Sequence, residues 1–129
     1  MNVATVCTTL NTVATFSKEP KIHTVLKVLT RKKYWKYCRI ETVNQIGMPD
    51  ALLLRGDTYW LVEAKILKKK QLVSLENDLV WQFGQIAFMQ KSLKNKLNYM
   101  LAVGKDNMLA LIIGDYHARE CSNYPDFIG

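Results

Sequence analysis

The sequence predicts an α/β fold: a mixed central β-sheet with helices packed on both of its faces. Three observations carry that expectation. Short apolar or aromatic runs of strand length alternate with longer segments of helical period. Two of the runs, Leu52–Leu54 and Tyr59–Val62, flank a tight turn, so a hairpin lies at the centre of the order and the strand directions must be mixed. The runs Ala51–Leu54 and Met108–Ile113 are apolar at consecutive positions, as strands covered on both sides are.

Residues 2–16 carry two conflicting signals. Their β-branched content favours a strand. Val3, Val6, Leu10, Val13 and Phe16, three to four apart, favour an amphipathic helix that packs on the core or on a second subunit, and we give the spacing more weight. Pro20 to about Lys32 reads as a helix with Ile22, Val25, Leu26, Val28 and Leu29 as its apolar stripe. Tyr34 to Glu41 reads as a strand, and the hairpin strands are expected over 49–55 and 58–67.

Ser74 is placed to N-cap a helix running to about Asn95. Leu75, Leu79, Phe83, Ile86, Ala87, Gln90 and Leu93 would face inward, with Gly84 permitting close approach to the sheet. Asn98–Val103 is expected to be a strand, Gly104-Lys105-Asp106-Asn107 a turn, and Met108–Ile113 a further strand. Residues 114–129 are polar and aromatic without clear period, a tail that covers a sheet edge or meets another subunit. At 129 residues, with no repeat or linker, residues 1–129 are read as a single domain.

Composition narrows the function classes. Hydrophobic residues make up 49% and charged residues 22%, ordinary for a globular chain. A formal net charge of +7 suits a polyanionic partner. The cations cluster at Arg31-Lys32-Lys33 with Lys36, at Lys68-Lys69-Lys70, and at Lys91, Lys94 and Lys96. The run Lys68–Lys70 is the first choice for phosphate contact, because it emerges beside the site proposed below. Cys7, Cys38 and Cys121 show no Cys-x-x-Cys pairing, so neither a disulfide framework nor a zinc site is expected, and a reducing cytoplasm is the natural setting. His23 and His117 lack a zinc-type pattern and are assigned to packing or surface. No stretch approaches the ~18 apolar residues that span a membrane. Residues 1–16 lack a basic leader, so no signal peptide is expected.

The most specific chemistry lies on the hairpin. A two-residue turn at Gly56-Asp57 pairs Arg55 with Thr58, and by the same register sets Asp50 opposite Glu63. Directly opposed residues sit about 4.5–5.5 Å apart at Cα with side chains on one face. Lys65 is two residues beyond Glu63 and shares that face. Facing carboxylates repel unless one is protonated or a cation lies between them. Mg²⁺ resolves the conflict, taking one or two carboxylates while keeping room for phosphate oxygens. The bland reading is a charged hairpin rim with Lys65 balancing the acids. The combined spacing favours a phosphodiester-cutting site.

These residues bring the chain to a known family. Arg39-Ile40-Glu41, Gly47-Met48-Pro49-Asp50 and Trp60-Leu61-Val62-Glu63-Ala64-Lys65, followed by Gln85 and Phe88 on a helix, resemble the PD-(D/E)xK nuclease superfamily. Within it, the likeness is to the small stand-alone VRR-NUC members. It covers about residues 35–113 and implies a restriction-endonuclease-like core. By this resemblance Asp50 and Glu63 would hold Mg²⁺ or Mn²⁺, with a backbone carbonyl near Ala64 as a further ligand. Lys65 would be the catalytic lysine and Gln85 its helical partner, with Gln82 the other choice for that glutamine. Glu19 either joins the metal as the family's first-helix acid or only caps the helix and suits its dipole. Glu41 either points at the metal or holds the loop after it.

The expected activity is a metal-dependent endodeoxyribonuclease. Water attacks phosphorus, and Lys65 positions that water, deprotonates it or steadies the developing charge. The substrate is DNA, duplex or branched. Lys68, Lys69, Lys70, Arg31, Lys32 and Lys33 are the expected DNA contacts. One site per chain suggests a homodimer or a nicking enzyme, and the resemblance suggests a dimer acting on four-way junctions in a phage-infected cell's cytoplasm. A restriction- or homing-type duplex endonuclease is the alternative within catalysis. The alternative outside it is a basic DNA-binding protein that keeps the fold without cutting.

Overall fold

The computed structural model describes residues 6–40 and 46–113, and of residues 6–14 the backbone alone. Eight elements follow in order. They are β1 (Val6–Phe16), α1 (Glu19–Arg31), β2 (Lys36–Arg39), β3 (Ala51–Arg55), β4 (Thr58–Ile66), α2 (Leu75–Asp78), α3 (Gln85–Lys94) and β5 (Tyr99–Ile113). The five strands form one sheet in the order β1-β5-β4-β3-β2. β4 and β5 run parallel, and the other neighbours run antiparallel, so the sheet is mixed as expected.

The hairpin register matches the sequence reading. Arg55 pairs with Thr58, and the ladder continues to Ala51 opposite Val62. Gly56 takes φ 61, a left-handed value that costs a residue with a Cβ and is free to glycine. β2 pairs along the other side of β3, from Lys36–Leu54 to Arg39–Ala51.

Alternation along the central strands sends side chains to two cores. Val62 and Ala64 of β4, with Met100 and Ala102 of β5, pack on one face with Ile22 and Leu26 of α1 and with Phe16 and Trp35. Tyr99, Leu101, Val103 and Ile112 of β5 pack on the other face with Leu75 of α2, with Leu79 just after it, and with Met89 of α3. Small alanines at 64 and 102, which are ladder partners, give α1 room to approach the sheet. Burying Ile22 and Leu26 contributes roughly 1.5–3 kcal/mol each.

Five expectations are corrected. Residues 6–16 form a strand, not a helix: β1 adds an edge to β5, and in that setting the β-branched content outweighs the three-to-four spacing. The predicted turn at 104–107 does not reverse the chain. β5 runs through it, pairing with β4 as far as Gly104 and with β1 from Asp106 onward. The β1–β5 register shifts between Asn11 and Phe16, where Asp106 has φ 51, so the polar residues mark an irregularity rather than a hairpin. Gly104 is small for packing reasons, since a Cβ there would lie 2.8 Å from the Phe16 Cβ.

The helix expected from Ser74 to Asn95 is split. Ser74 does cap a helix, accepting from the Asn77 N–H, but α2 ends at Asp78. Asp78 Oδ2 accepts the N–H groups of Ser74 and Val73 at 2.8 Å each, which holds its carboxyl down at about 2. α3 starts only after Gly84, whose φ of 86 cannot continue a helix. Its buried face is Gln85, Met89 and Ser92, rather than the expected Ala87 and Gln90, and Phe83 is 87% exposed. On α1 the inward face is Ile22, His23, Leu26 and Thr30, and Val28 of the expected stripe is exposed. Residues 41–45, with Glu41, and residues 114–129 lie outside the described set.

Candidate functional site

β3 begins at Ala51, and beyond it the ladder with β4 opens. Asp50 sits at that fork. Its backbone carbonyl still accepts from the Ile40 N–H at 2.8 Å, while its side chain turns to β4, where Oδ2 accepts the Ala64 N–H at 3.0 Å. Ala64, expected to offer its backbone carbonyl to the metal, thus meets Asp50 through its backbone N–H. Glu63 and Lys65, flanking Ala64, project from the opposite face of β4 to Val62 and Ala64, as period two requires.

Glu63 and Lys65 are both buried, at 1% and 3% exposure. Their charged ends lie 3.6 Å apart. Gln85, the first residue of α3, ties them together: its amide nitrogen donates to Glu63 Oε1 at 2.7 Å, and its carbonyl oxygen accepts from Lys65 Nζ at 2.6 Å. The same oxygen accepts the Gln82 backbone N–H at 2.8 Å. Of the two glutamines left open by the sequence, Gln85 is the one whose side chain joins the acid and the lysine. Gln82 is exposed on the rim. Lys65 Nζ also donates to the Val80 carbonyl at 2.8 Å and lies 4.8 Å from the centre of the Trp81 ring.

A cleft of about 370 Å³ opens in front of this cluster. Glu19, Asp50, Lys65, Lys68, Gln82 and Gln85 are among its walls. Glu63 lies directly behind the wall, against Lys65 and Gln85. Lys18, not Glu19, is the N-cap residue of α1, and Glu19 is the first helical residue, with Pro20 next. Its place in the first turn suits the helix dipole, yet the same place puts it on the cleft wall with Asp50.

The electrostatics separate the acids. Burial first, then the neighbouring Asp50, pushes Glu63 up to about 8. Burial would raise Asp50 too, but His23, the Ala64 N–H and Lys65 outweigh it and hold the carboxyl below its usual range. Glu19 is raised, chiefly by burial, with Lys65 pulling against it and Asp50 adding to it. Glu63 Oε2 is buried and accepts no hydrogen bond. A buried carboxylate oxygen without a partner calls for a proton or a cation. Among the described residues no three His, Cys, Asp or Glu side chains group as a ready metal cage. Mg²⁺ needs fewer, because it keeps several waters and takes phosphate oxygens as ligands. Asp50 and the unpartnered Glu63 Oε2 fit that smaller requirement, two carboxylates rather than a cage.

The sequence reading missed His23. It is buried on α1, its Nδ1 hydrogen-bonds the Tyr37 hydroxyl of β2, and its Nε2 lies 3.7 Å from Asp50 Oδ2. The available signal was its spacing: four residues after Glu19, it shares that residue's helix face.

The lysine clusters are not all at the cleft. Lys68 lines it, Lys69 is exposed and pairs with Asp78 at 3.0 Å, and Lys70 is exposed. Arg31, Lys32 and Lys33 are exposed at the far end of α1, about 18 Å along the helix from Glu19. No protein-family model, curated protein or solved structure matches the chain. Among the described residues no helix is long and apolar enough to cross a membrane.

Proposed function

We propose that the chain is a Mg²⁺- or Mn²⁺-dependent endodeoxyribonuclease with the restriction-endonuclease-like core of the PD-(D/E)xK nucleases. The observation that carries this reading is the Lys65–Gln85–Glu63 hydrogen-bonded set packed beside Asp50 at one cleft, with the buried Glu63 Oε2 left without a partner. Asp50 and Glu63 would hold the cation, with Glu19 within the same cleft. A bound divalent cation supplies charge neutralisation at the phosphate and acidifies water.

The chain's own groups have separable roles. Gln85 fixes the rotamers of Glu63 and Lys65. Lys65 commits two N–H bonds, to Val80 and Gln85, which leaves one to donate into the cleft. That donor can orient the attacking water or steady charge as the water oxygen bonds to phosphorus and the phosphodiester oxygen leaves. His23 and the Ala64 N–H hold Asp50 ionised and aimed. Lys68 at the cleft wall, within a +7 chain, favours a polyanionic substrate. Preference for branched DNA, and a homodimer that cuts both strands, complete the reading and rest on the resemblance to stand-alone VRR-NUC enzymes.

The test is cleavage of a labelled four-way junction beside its linear arms, with Mg²⁺ or Mn²⁺, by the wild type and by Asp50→Ala. Paired nicks in the junction alone, lost in the variant, support the full reading. Cutting of linear duplex at one fixed place moves the assignment to a restriction- or homing-type endonuclease. Binding without cutting under every metal leaves a DNA-binding protein on the same fold.

A further inference from the structure

Residues four apart on a helix stack into one ridge. On α1 that ridge reads Glu19, His23, Lys27, Arg31. It starts at the cleft and changes sign along its length. Where it becomes basic, a second cleft of about 370 Å³ opens between α1 and β2, lined by Lys27, Arg31, Trp35, Lys36 and Tyr37. The two clefts adjoin through one chain of contacts, because Tyr37 on the wall of the second bonds His23, which faces Asp50 on the wall of the first.

The three cations of this groove have no ion pair and no side-chain hydrogen bond among the described residues, unlike Lys65 and Lys69. Like charges held around a concavity repel each other, so the arrangement favours a bound polyanion. The aromatic groups decide which part of a polyanion fits. Trp35 is 6% exposed and carries the Arg55 guanidinium 4.4 Å from its ring centre, so it offers no open face to a base. The groove suits phosphates.

We propose that the α1–β2 groove binds the phosphodiester backbone of the DNA strand that enters the cleft, with Lys27, Arg31 and Lys36 each contacting phosphate. The choice of DNA as the polyanion rests on the nuclease reading. The groove is a site apart from the Lys68–Lys70 run and from Arg31's sequence neighbours Lys32 and Lys33, which do not line it. Its position sets the strand's path, along α1 from the N-terminal acids toward the C-terminal cations.

The test is fluorescence anisotropy of a labelled duplex and a labelled four-way junction, without divalent metal, over a range of salt. Three proteins are compared: the wild type, the triple variant Lys27→Gln/Arg31→Gln/Lys36→Gln, and the charge-matched control Lys91→Gln/Lys94→Gln/Lys96→Gln. All six side chains are exposed, and thermal melts check that each protein folds. The groove variant is expected to lower the slope of log affinity against log salt by about 2–3, and to weaken binding about 10²-fold near 0.1 M salt. The control should change the slope far less. Equal slopes for the two variants, a groove variant with the wild-type slope, or no binding by the wild type would each overturn the proposal. Failure of the nuclease reading looks different: the slope difference persists, but no metal supports cutting.

Discussion

Gln85 reaches across from α3 to Glu63 on β4 and donates to its Oε1 at 2.7 Å, so the helix that follows the Gly84 break is registered to β4 by one amide. The same amide accepts from Lys65. Replacing it by Gln85→Leu leaves a buried carboxylate oxygen and a buried ammonium each short of a partner. The expected cost is about 1–3 kcal/mol in urea unfolding, together with a loss of cleavage. Gln82→Leu, at the exposed rim, should leave stability within about 0.5 kcal/mol of wild type. Equal stability losses from the two substitutions would remove the distinction drawn between them.

Glu63 gives a pH signature. Its carboxyl is raised from 4.5 to about 8, so the folded state holds that proton more tightly than the unfolded chain. The stabilisation is complete below pH 4.5 and is lost as pH rises through about 8. Glu63→Gln, which cannot ionise, should therefore melt higher than wild type above pH 8 without metal, and the gap should narrow toward pH 5. Mn²⁺ should raise the wild-type melting temperature and leave that of Glu63→Gln nearly unchanged. A pH-independent gap would mean that Glu63 does not titrate in this range.

His23 acts on the site through Asp50. Partners that orient a metal-binding side chain typically contribute 10- to 100-fold in metal affinity or activity. His23→Leu is expected to weaken Mn²⁺ binding, measured by calorimetry, by about that factor. His23→Gln, whose amide can still donate toward Asp50, should recover part of it. Unchanged Mn²⁺ affinity in His23→Leu would return the residue to a packing role.

The glycines separate conformation from contact. A Cβ at Gly84 would lie 2.4 Å from Ile46 Cγ2 at a φ of 86, and one at Gly47 would lie 2.3 Å from the Gly84 carbonyl oxygen at a φ of 79. Gly56 has φ 61 but open space around it. Gly56→Ala should cost about 1–2 kcal/mol, the left-handed penalty alone. Gly47→Ala, which meets backbone that cannot step aside, should cost clearly more. Gly84→Ala should also lower activity, because Gln85 follows it directly. Chemical denaturation of the three variants checks the ranking.

The sequence by itself determined the local parts of this protein. Turn chemistry at Gly56 fixed the hairpin register from Arg55–Thr58 to Ala51–Val62, and period two put Glu63 and Lys65 on one face. The helix after Pro20 and the mixed sheet were legible for the same reason. Elements whose fate depends on distant neighbours were not. The direct Asp50–Glu63 pairing expected from the hairpin register is not formed, because the ladder opens at Ala51 and Asp50 turns to the Ala64 N–H. Residues 6–16 became a strand because β5 offered an unpaired edge, and 104–107 stayed extended because β1 continued the pairing there. The Gly47–Gly84 approach, which no local spacing announces, accompanies the break that divides the long helix and sets Gln85 at the head of α3. His23, the choice of Gln85 over Gln82, and the adjacency of the two clefts along α1 are contacts between elements far apart in sequence. Only tertiary packing decides such contacts, because their energy is gained when the two faces of the sheet are covered and not before.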